Sequence, residues 1–312
     1  MTHVFIPSKG RPNNTTTKLL SEQGVPHTIF VEPQDFDNYN AVLRPYATLV
    51  TLPENDRGLA PTKNFILDYA KERNIEHIFM FDDDLIKLQK NYLKPPKKVG
   101  GGLYSRDDKT TRIPAILEEF QNDCIEDGVT YGGFDLVSHC GFHGLRKYFT
   151  KDGCKLTYSF FWLNLTLLGD IRPVKERMLF DDCELIIQIL LAGGTGVKNC
   201  KFGWIASPMG DPTNAGGCGE DYDTTVQIRQ NKCDAMKVHL LNIQNDITKN
   251  FTDKQKKLWG DKTIFVEALL LEAHPERGMG IAPHYRNIHL LNKIRNEPVI
   301  RPLPPGLRLF GT

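Results

Sequence analysis

The run Phe79-Met80-Phe81-Asp82-Asp83-Asp84 constrains this chain more than any other segment. The apolar stretch that leads into it, IEHIFMF (75–81), reads as a buried strand, and it ends abruptly in three carboxylates. Such a cluster beside a core repels itself and is poorly solvated. Two arrangements accommodate it: an acidic strand end turned out to solvent, or a divalent cation held there by hard oxygen ligands. Side chains alternate along a strand, so Asp82 and Asp84 share one side and are the expected ligands for Mg²⁺ or Mn²⁺. Asp83 faces the other way.

A strand of this kind needs a sheet around it. HVFIP (3–7), HTIFV (27–31) and ATLVTL (47–52) are rich in β-branched and aromatic residues and are bounded by Pro or Gly, so they are expected strands. NNTTTKLLSEQG carries a helix-cap signal and a closing Gly24, and PTKNFILDYAKERN (61–74) puts Phe65, Ile66, Tyr69 and Ala70 on one helical face. Strands alternating with helices imply an α/β protein with a mostly parallel sheet and ligands at the carboxyl ends of its strands. Farther on, the pattern predicts a helix over 113–127, strands near 132–139 and 156–168, and an acid-capped helix over 179–194. A polar helix near 221–232 and a helical, Pro-rich last quarter follow. With 312 residues, 40% of them hydrophobic, the chain can bury a substantial core. We read residues 1–235 as a catalytic domain and 236–312 as a helical extension packed on it.

Residues 86–112 differ in character. Eight lysines and arginines from Lys87 to Arg112 face only Asp107 and Asp108, and Pro95-Pro96 and Gly100-Gly101-Gly102 interrupt the run. It reads as a mobile basic loop, either a solvated surface or a grip on phosphates. The formal net charge of the whole chain is only +1, so nucleic-acid binding has no support beyond such a local patch. A second acidic run, Phe180-Asp181-Asp182-Cys183-Glu184-Leu185, opens a helix. The helix dipole favours carboxylates there whether or not they do chemistry.

An apolar strand ending in Asp-x-Asp, with Arg57-Gly58-Leu59-Ala60-Pro61-Thr62-Lys63-Asn64 opening a helix upstream, resembles the GT-A glycosyltransferases. Phe5-Ile6-Pro7-Ser8-Lys9-Gly10-Arg11-Pro12 is similar to that superfamily's first strand and donor loop. The upstream element usually ends there in Ala-Arg-Asn. Here Thr62-Lys63-Asn64 keeps the cation without the arginine fork. With the basic segment, the FDDCEL helix, Trp204 and Gly216-Gly217-Cys218, the chain more narrowly resembles the glycosyltransferases associated with TET/base-J-type oxygenases. These are viral and protist enzymes that place sugars on hydroxymethylated pyrimidines in DNA, and the resemblance spans roughly residues 3–230.

The resemblance implies a Rossmann-like GT-A fold and a nucleoside-diphosphate sugar donor, UDP-linked. It implies that Pro7, Ser8, Arg11, Arg57, Gly58, Lys63, Asp82 and Asp83 line this donor, with Asp82 and Asp84 setting the metal against its diphosphate. It also implies that Asp182, with Asp181 next, is the base that deprotonates the acceptor hydroxyl. The implied acceptor is DNA bearing a 5-hydroxymethylpyrimidine, flipped from the stack at a cost of roughly a few kcal/mol.

Two other classes use parts of this pattern. A GT-A enzyme acting on a glycan, protein or small molecule has no use for the basic segment, and a sugar-nucleotide pyrophosphorylase has a Gly-rich first loop of which SKGRP is a weak version. A plain DNA-binding module gives no reason for three aspartates. No GxGxxG follows an expected strand and no Walker A sequence is present, which excludes dinucleotide and P-loop chemistry. His139 and His143 have helical spacing, but Gly141 and Gly144 argue against a helix and hence a zinc pair. Trp204 reads as a stacking platform or a core residue, and the GGCG loop as a phosphate cradle or a turn. Seven scattered cysteines without a CxxC pair, no signal-like N-terminus, and a most apolar stretch too short and polar to span a bilayer point to a cytoplasmic protein without membrane anchor.

Overall fold

Five buried residues in succession, Val4–Ser8, form the first strand (β1). A run without alternation is what a strand covered on both faces requires. The computed structural model describes residues 2–43, 46–94, 104–107, 110–137, 145–152, 159–173, 181–207, 226–268, 281–283 and 285–296. β1 pairs in parallel with His27–Val31 (β2), and β2 with Thr48–Thr51 (β3). His77–Phe81 (β4) lies parallel on the other side of β1. Helices Thr15–Glu22 (α1), Phe36–Leu43 (α2) and Leu59–Glu72 (α3) make the connections. The Asn14 side chain caps α1 by accepting from Thr17 N at 2.8 Å. α3 starts from Gly58, whose φ of 86° suits a residue without a side chain.

The remaining strands are Leu85–Lys94 (β5), Tyr104–Asp107 (β6), Tyr131–Leu136 (β7), Lys147–Phe149 (β8), Phe160–Asn164 (β9) and Gly196–Ala206 (β10). The sheet order is β3-β2-β1-β4-β9-β7-β10-β5-β6, with β8 also on β10. β9 runs antiparallel between β4 and β7, while β10 is parallel to β7 and antiparallel to β5. One face is covered by α1 and Ile113–Glu126 (α4), where Phe120 stacks on Phe134 at 3.9 Å. The other carries α3, the short helix Leu165–Leu168 (α5) and Asp181–Leu191 (α6). The C-terminal helices Val226–Thr248 (α7), Asp253–Trp259 (α8) and Tyr285–Asn296 (α9) pack on this same face through Met236, Leu240, Trp259, Ile288 and Leu291. A small ribbon, Phe265–Ala268 (β11) with Ile281–Pro283 (β12), lies among them. Among the described residues no helix is long and apolar enough to cross a membrane.

Several expectations need correction. The basic loop over 86–112 is in its described part a β-ribbon: β5 pairs with β6 from Asn91↔Asp107 to Lys94↔Tyr104, and β5 also docks along β10. The lysine count hid a buried pattern beneath it. Leu85 and Leu88 are core residues, and buried Gln89 and Asn91 satisfy each other and Cys200 O. Residues 95–103, with the Pro-Pro and Gly-Gly-Gly breaks, lie outside the described residues, as do His139, His143 and Gly216-Gly217-Cys218. Trp204 stands on strand β10 rather than in a loop. The apolar stretch 156–168 resolves into β9 and α5, because Asn164 Oδ1 caps the helix by accepting from Leu167 N at 3.0 Å. The polar helix begins at Val226 and runs to Thr248, so the expected boundary at residue 235 falls inside one helix.

Candidate active site

The ladder between β1 and β4 runs only from Val4↔Phe79 to Phe5↔Met80. Two residues on, Pro7 has no N–H with which to extend it. Strand order also reverses at β1, which has β2 on one side and β4 on the other, and this is where open α/β sheets form ligand crevices.

The loop leaving β1 is fastened by Asp83. Ser8 Oγ donates to Asp83 Oδ2 at 2.5 Å and Arg11 Nη1 to Oδ1 at 2.6 Å. The fully buried Tyr39 hydroxyl lies 2.7 Å from Ser8 Oγ and accepts from Arg11 N at 2.7 Å. Burial pushes this phenol well above its ordinary range, so it stays protonated. Asp35 accepts from Gly10 N at 2.9 Å, and Lys9 pairs with Asp56 and, at 3.5 Å, with Glu32. Asp83 therefore serves the chain's own Ser8 and Arg11. Its carboxyl is raised by burial, and Arg11 and Ser8 oppose that shift.

Asp82 and Asp84 sit on a backbone fixed from three sides. Asp82 N donates to Ser159 O at 2.9 Å, Thr16 Oγ1 to Asp82 O at 2.7 Å, and Ser207 N to Asp84 O at 2.8 Å. Thr16 Oγ1 also accepts from Leu85 N at 2.8 Å, so α1 clamps the turn after β4. Burial, and next the charge of Asp84, hold the Asp82 carboxyl far above the usual carboxylate range, against the pull of Lys63. Asp84 is pushed up to about 6 by burial and by Asp83. Asp84 Oδ1 is buried with no hydrogen-bond partner among the described residues. An orphaned buried carboxylate oxygen beside a second self-repelling carboxyl is the environment a hard dication relieves, so these residues fit Mg²⁺ or Mn²⁺. Among the described residues no group of three or more His, Cys, Asp or Glu side chains is arranged around a metal position. Two carboxylates suffice where substrate phosphates and water complete the shell.

Asp182, expected from the sequence as the base, comes close enough for its charge to act on Asp82. Asp182, in the first turn of α6, receives an ion pair on Oδ1 from Lys63 of α3. Lys63 is 1% exposed and lies over the Phe161 ring at 5.7 Å from its centroid. The next residue, Asn64, donates to Pro173 O at 2.9 Å and ties α3 to the segment before α6. The expected donor contact Lys63 thus stands beneath the site. Arg57, by contrast, is exposed and pairs with Glu54 at 2.9 Å, while Gly58 forms the N-cap of α3. The Asp181 side chain lies outside what the structure describes.

The structure thus gathers Ser8, Arg11 and Asp83 into one cluster, and Asp82, Asp84, Lys63 and Asp182 into a second beside it. Sequence reasoning missed Glu32, buried just past the end of β2, although an acid directly after an apolar strand was the same signal as at β4. It also missed Tyr39, Thr16 and Ser159, whose φ is 71°, for which the sequence carries no signal. Phe160 meets the Trp204 ring at 4.6 Å, beside Ser159 on one strand and near Ser207 on the other.

No curated protein has a significantly similar sequence. Among solved structures, the chain is similar to mouse xyloside xylosyltransferase 1 in its apo form, at 13% identity and a TM-score of 0.28 over 53% of this chain and 66% of that one. It is also similar to HddC from Yersinia pseudotuberculosis, at 8% identity and a TM-score of 0.32 over 56% of this chain and 82% of that one. The chain spans just under two thirds of the length of the xylosyltransferase. Residues 2–209, the greater part of the chain, match the family model described as TET-Associated Glycosyltransferase. The protein belongs to the TET-associated glycosyltransferase family.

Proposed function

We propose that this glycosyltransferase, of GT-A type, moves a sugar from a UDP-linked donor to the hydroxyl of a 5-hydroxymethylpyrimidine in DNA. One observation carries the reading: the orphaned Asp84 oxygen, Asp82 and the paired Asp182 meet at the carboxyl end of the sheet. Mn²⁺ or Mg²⁺ bound at Asp82 and Asp84 would supply the positive charge that a departing diphosphate needs. In this reading Pro7, Ser8 and Arg11, on the loop that Asp83 fastens, line the donor, with Gly58 and Arg57 at the start of α3 beside them; the Asp83 contacts that fasten the loop support it. Asp182 is the base that takes the proton from the acceptor hydroxyl. The family and the cationic β5–β6 ribbon favour DNA as acceptor, although Lys90 of that ribbon is already paired with Glu119 at 2.6 Å. Residues 236–312 act as an extension of the catalytic domain, and the enzyme works in the cytoplasm, a reading that the scattered cysteines without a CxxC pair support.

The test is incubation of the protein with hydroxymethylated duplex DNA, Mn²⁺ and a panel of nucleotide sugars, followed by mass analysis of the released bases. A sugar adduct on the hydroxymethyl base is expected. Hydrolysis or transfer of the sugar only to glycans or free small molecules would move the acceptor to the other GT-A class.

A further inference from the structure

We infer that Lys63 is a positioning residue, a buried cation that holds the Asp182 carboxylate toward the acceptor hydroxyl and acts on transfer through Asp182 rather than by touching the donor. The inference rests on the proposed role of Asp182 as base. Lysine is seldom fully buried without a partner, because its ammonium loses all hydration. Here it is 1% exposed, and its surroundings explain why it is tolerated: Asp182 Oδ1 accepts from it, and the Phe161 ring lies 5.7 Å away. The Asp182 side chain is 15% exposed, so this carboxylate has one oxygen anchored below and a rim that reaches the crevice.

The anchoring is rigid at both ends. Lys63 projects from the second turn of α3, whose start is set by Gly58 and whose Asn64 holds Pro173 O at 2.9 Å. On the other side, Gln188 Nε2 of α6 donates to Glu184 and, at 2.8 Å, to Arg172 O, which ties α6 to the chain that follows α5. A linear ammonium suits this position, since a forked guanidinium would have to fit the same fully buried space.

The experiment compares the parent with Lys63→Met, Lys63→Gln, Asp182→Asn and the double variant Lys63→Met/Asp182→Asn. It reads kcat on hydroxymethylated DNA and, separately, the affinity for UDP with Mn²⁺ by calorimetry. Lys63→Met is expected to lower kcat about 10²-fold, the lower range for a displaced general base, while UDP affinity stays within about threefold. Lys63→Gln, which keeps a hydrogen-bond donor for Asp182, should retain more kcat than Met. The double variant should be no slower than Asp182→Asn alone, because both changes disable one group. UDP binding doubles as the folding control. If Lys63→Met does not fold, the Gln variant carries the same comparison. Loss of UDP affinity with kcat intact, or multiplying losses in the double variant, would overturn the inference and make Lys63 a donor contact. A parental rate in Lys63→Met and Lys63→Gln beside a crippled Asp182→Asn removes the role of Lys63 alone. A parental rate in Asp182→Asn removes the base itself.

Discussion

Asp84 carries a charge the fold does not need. Among the described residues its Oδ1 has no hydrogen-bond partner, and burial and Asp83 raise its carboxyl to about 6 against Arg11 and its own backbone, so without a metal it adds repulsion to Asp82. Asp84→Ala is therefore expected to leave the thermal midpoint in EDTA unchanged or slightly higher, while transfer falls at least about 10²-fold. A parallel fall in both would make Asp84 an ordinary structural residue. His27 behaves in the opposite sense. Its Nδ1 lies 2.8 Å from Val25 O, and its Nε2 is buried without a partner. Burial lowers its pKa below the unfolded value, so the native state binds fewer protons. The stabilisation is complete above about pH 6.5, the ordinary imidazole value, and is lost as pH falls through the folded pKa. Urea midpoints measured from pH 7 to pH 5 should fall less steeply in His27→Gln than in the parent. At this scale the sequence was readable where charge broke abruptly into an apolar run, as at Asp82–Asp84. It was silent on Tyr39 and Thr16, because a hydroxyl aimed across the fold leaves no local pattern.

Elements were legible where their period was clean. β1, β2 and β4 are short unbroken apolar runs, and α3 shows its buried stripe in the sequence. β10 was not, since Gly, Lys and Asn interrupt GVKNCKFGWIA and its register shifts between Asn199 and Gly203. The strands it pairs with, β7, β5 and β8, define it. Beside it, the small residues of β7 have a packing reason. A Cβ added at Gly132 would lie 2.4 Å from Cys124 Sγ and 3.0 Å from the Phe120 ring. Gly132→Ala should destabilise by about 1–3 kcal/mol in urea unfolding, and adding Cys124→Ala should return part of that loss. If the double variant is no better than the single, Phe120 rather than Cys124 resists the methyl. The basic segment 86–112 carries the acceptor question. Replacing Lys94, Lys97 and Lys98 with Ala should weaken binding to hydroxymethylated DNA and flatten log affinity against log salt by about 0.9 per lost phosphate contact. UDP affinity should not change. Superimposable salt slopes would remove DNA from this segment and favour a different acceptor.

At the scale of the whole molecule, the α/β class followed from the alternation of strands and helices, and residue 235, where the sequence reading divides the chain, lies within the helix Val226–Thr248. Met236, Leu240 and Ile288 join the same core as Phe5 and Met80. Asn292 and Arg295 of α9 donate to Leu190 O and Leu191 O, the closing carbonyls of the helix that begins with Asp181 and Asp182. No linker was found in the sequence because the boundary is one continuous helix. The real line of weakness runs elsewhere. β1 keeps five register pairs with β2 but two with β4. Mechanically, the sheet is two plates, β3-β2-β1 and the remainder, riveted at a short central joint. A nucleotide lying across the open end of that joint would add the missing rivets. Hydrogen exchange at Phe79, whose N–H donates to His3 O at 2.7 Å across the joint, should accordingly slow on addition of UDP and Mn²⁺ more than exchange within the β1–β2 ladder. Equal slowing in both would mean that the plates already move as one, and that the donor closes no gap between them.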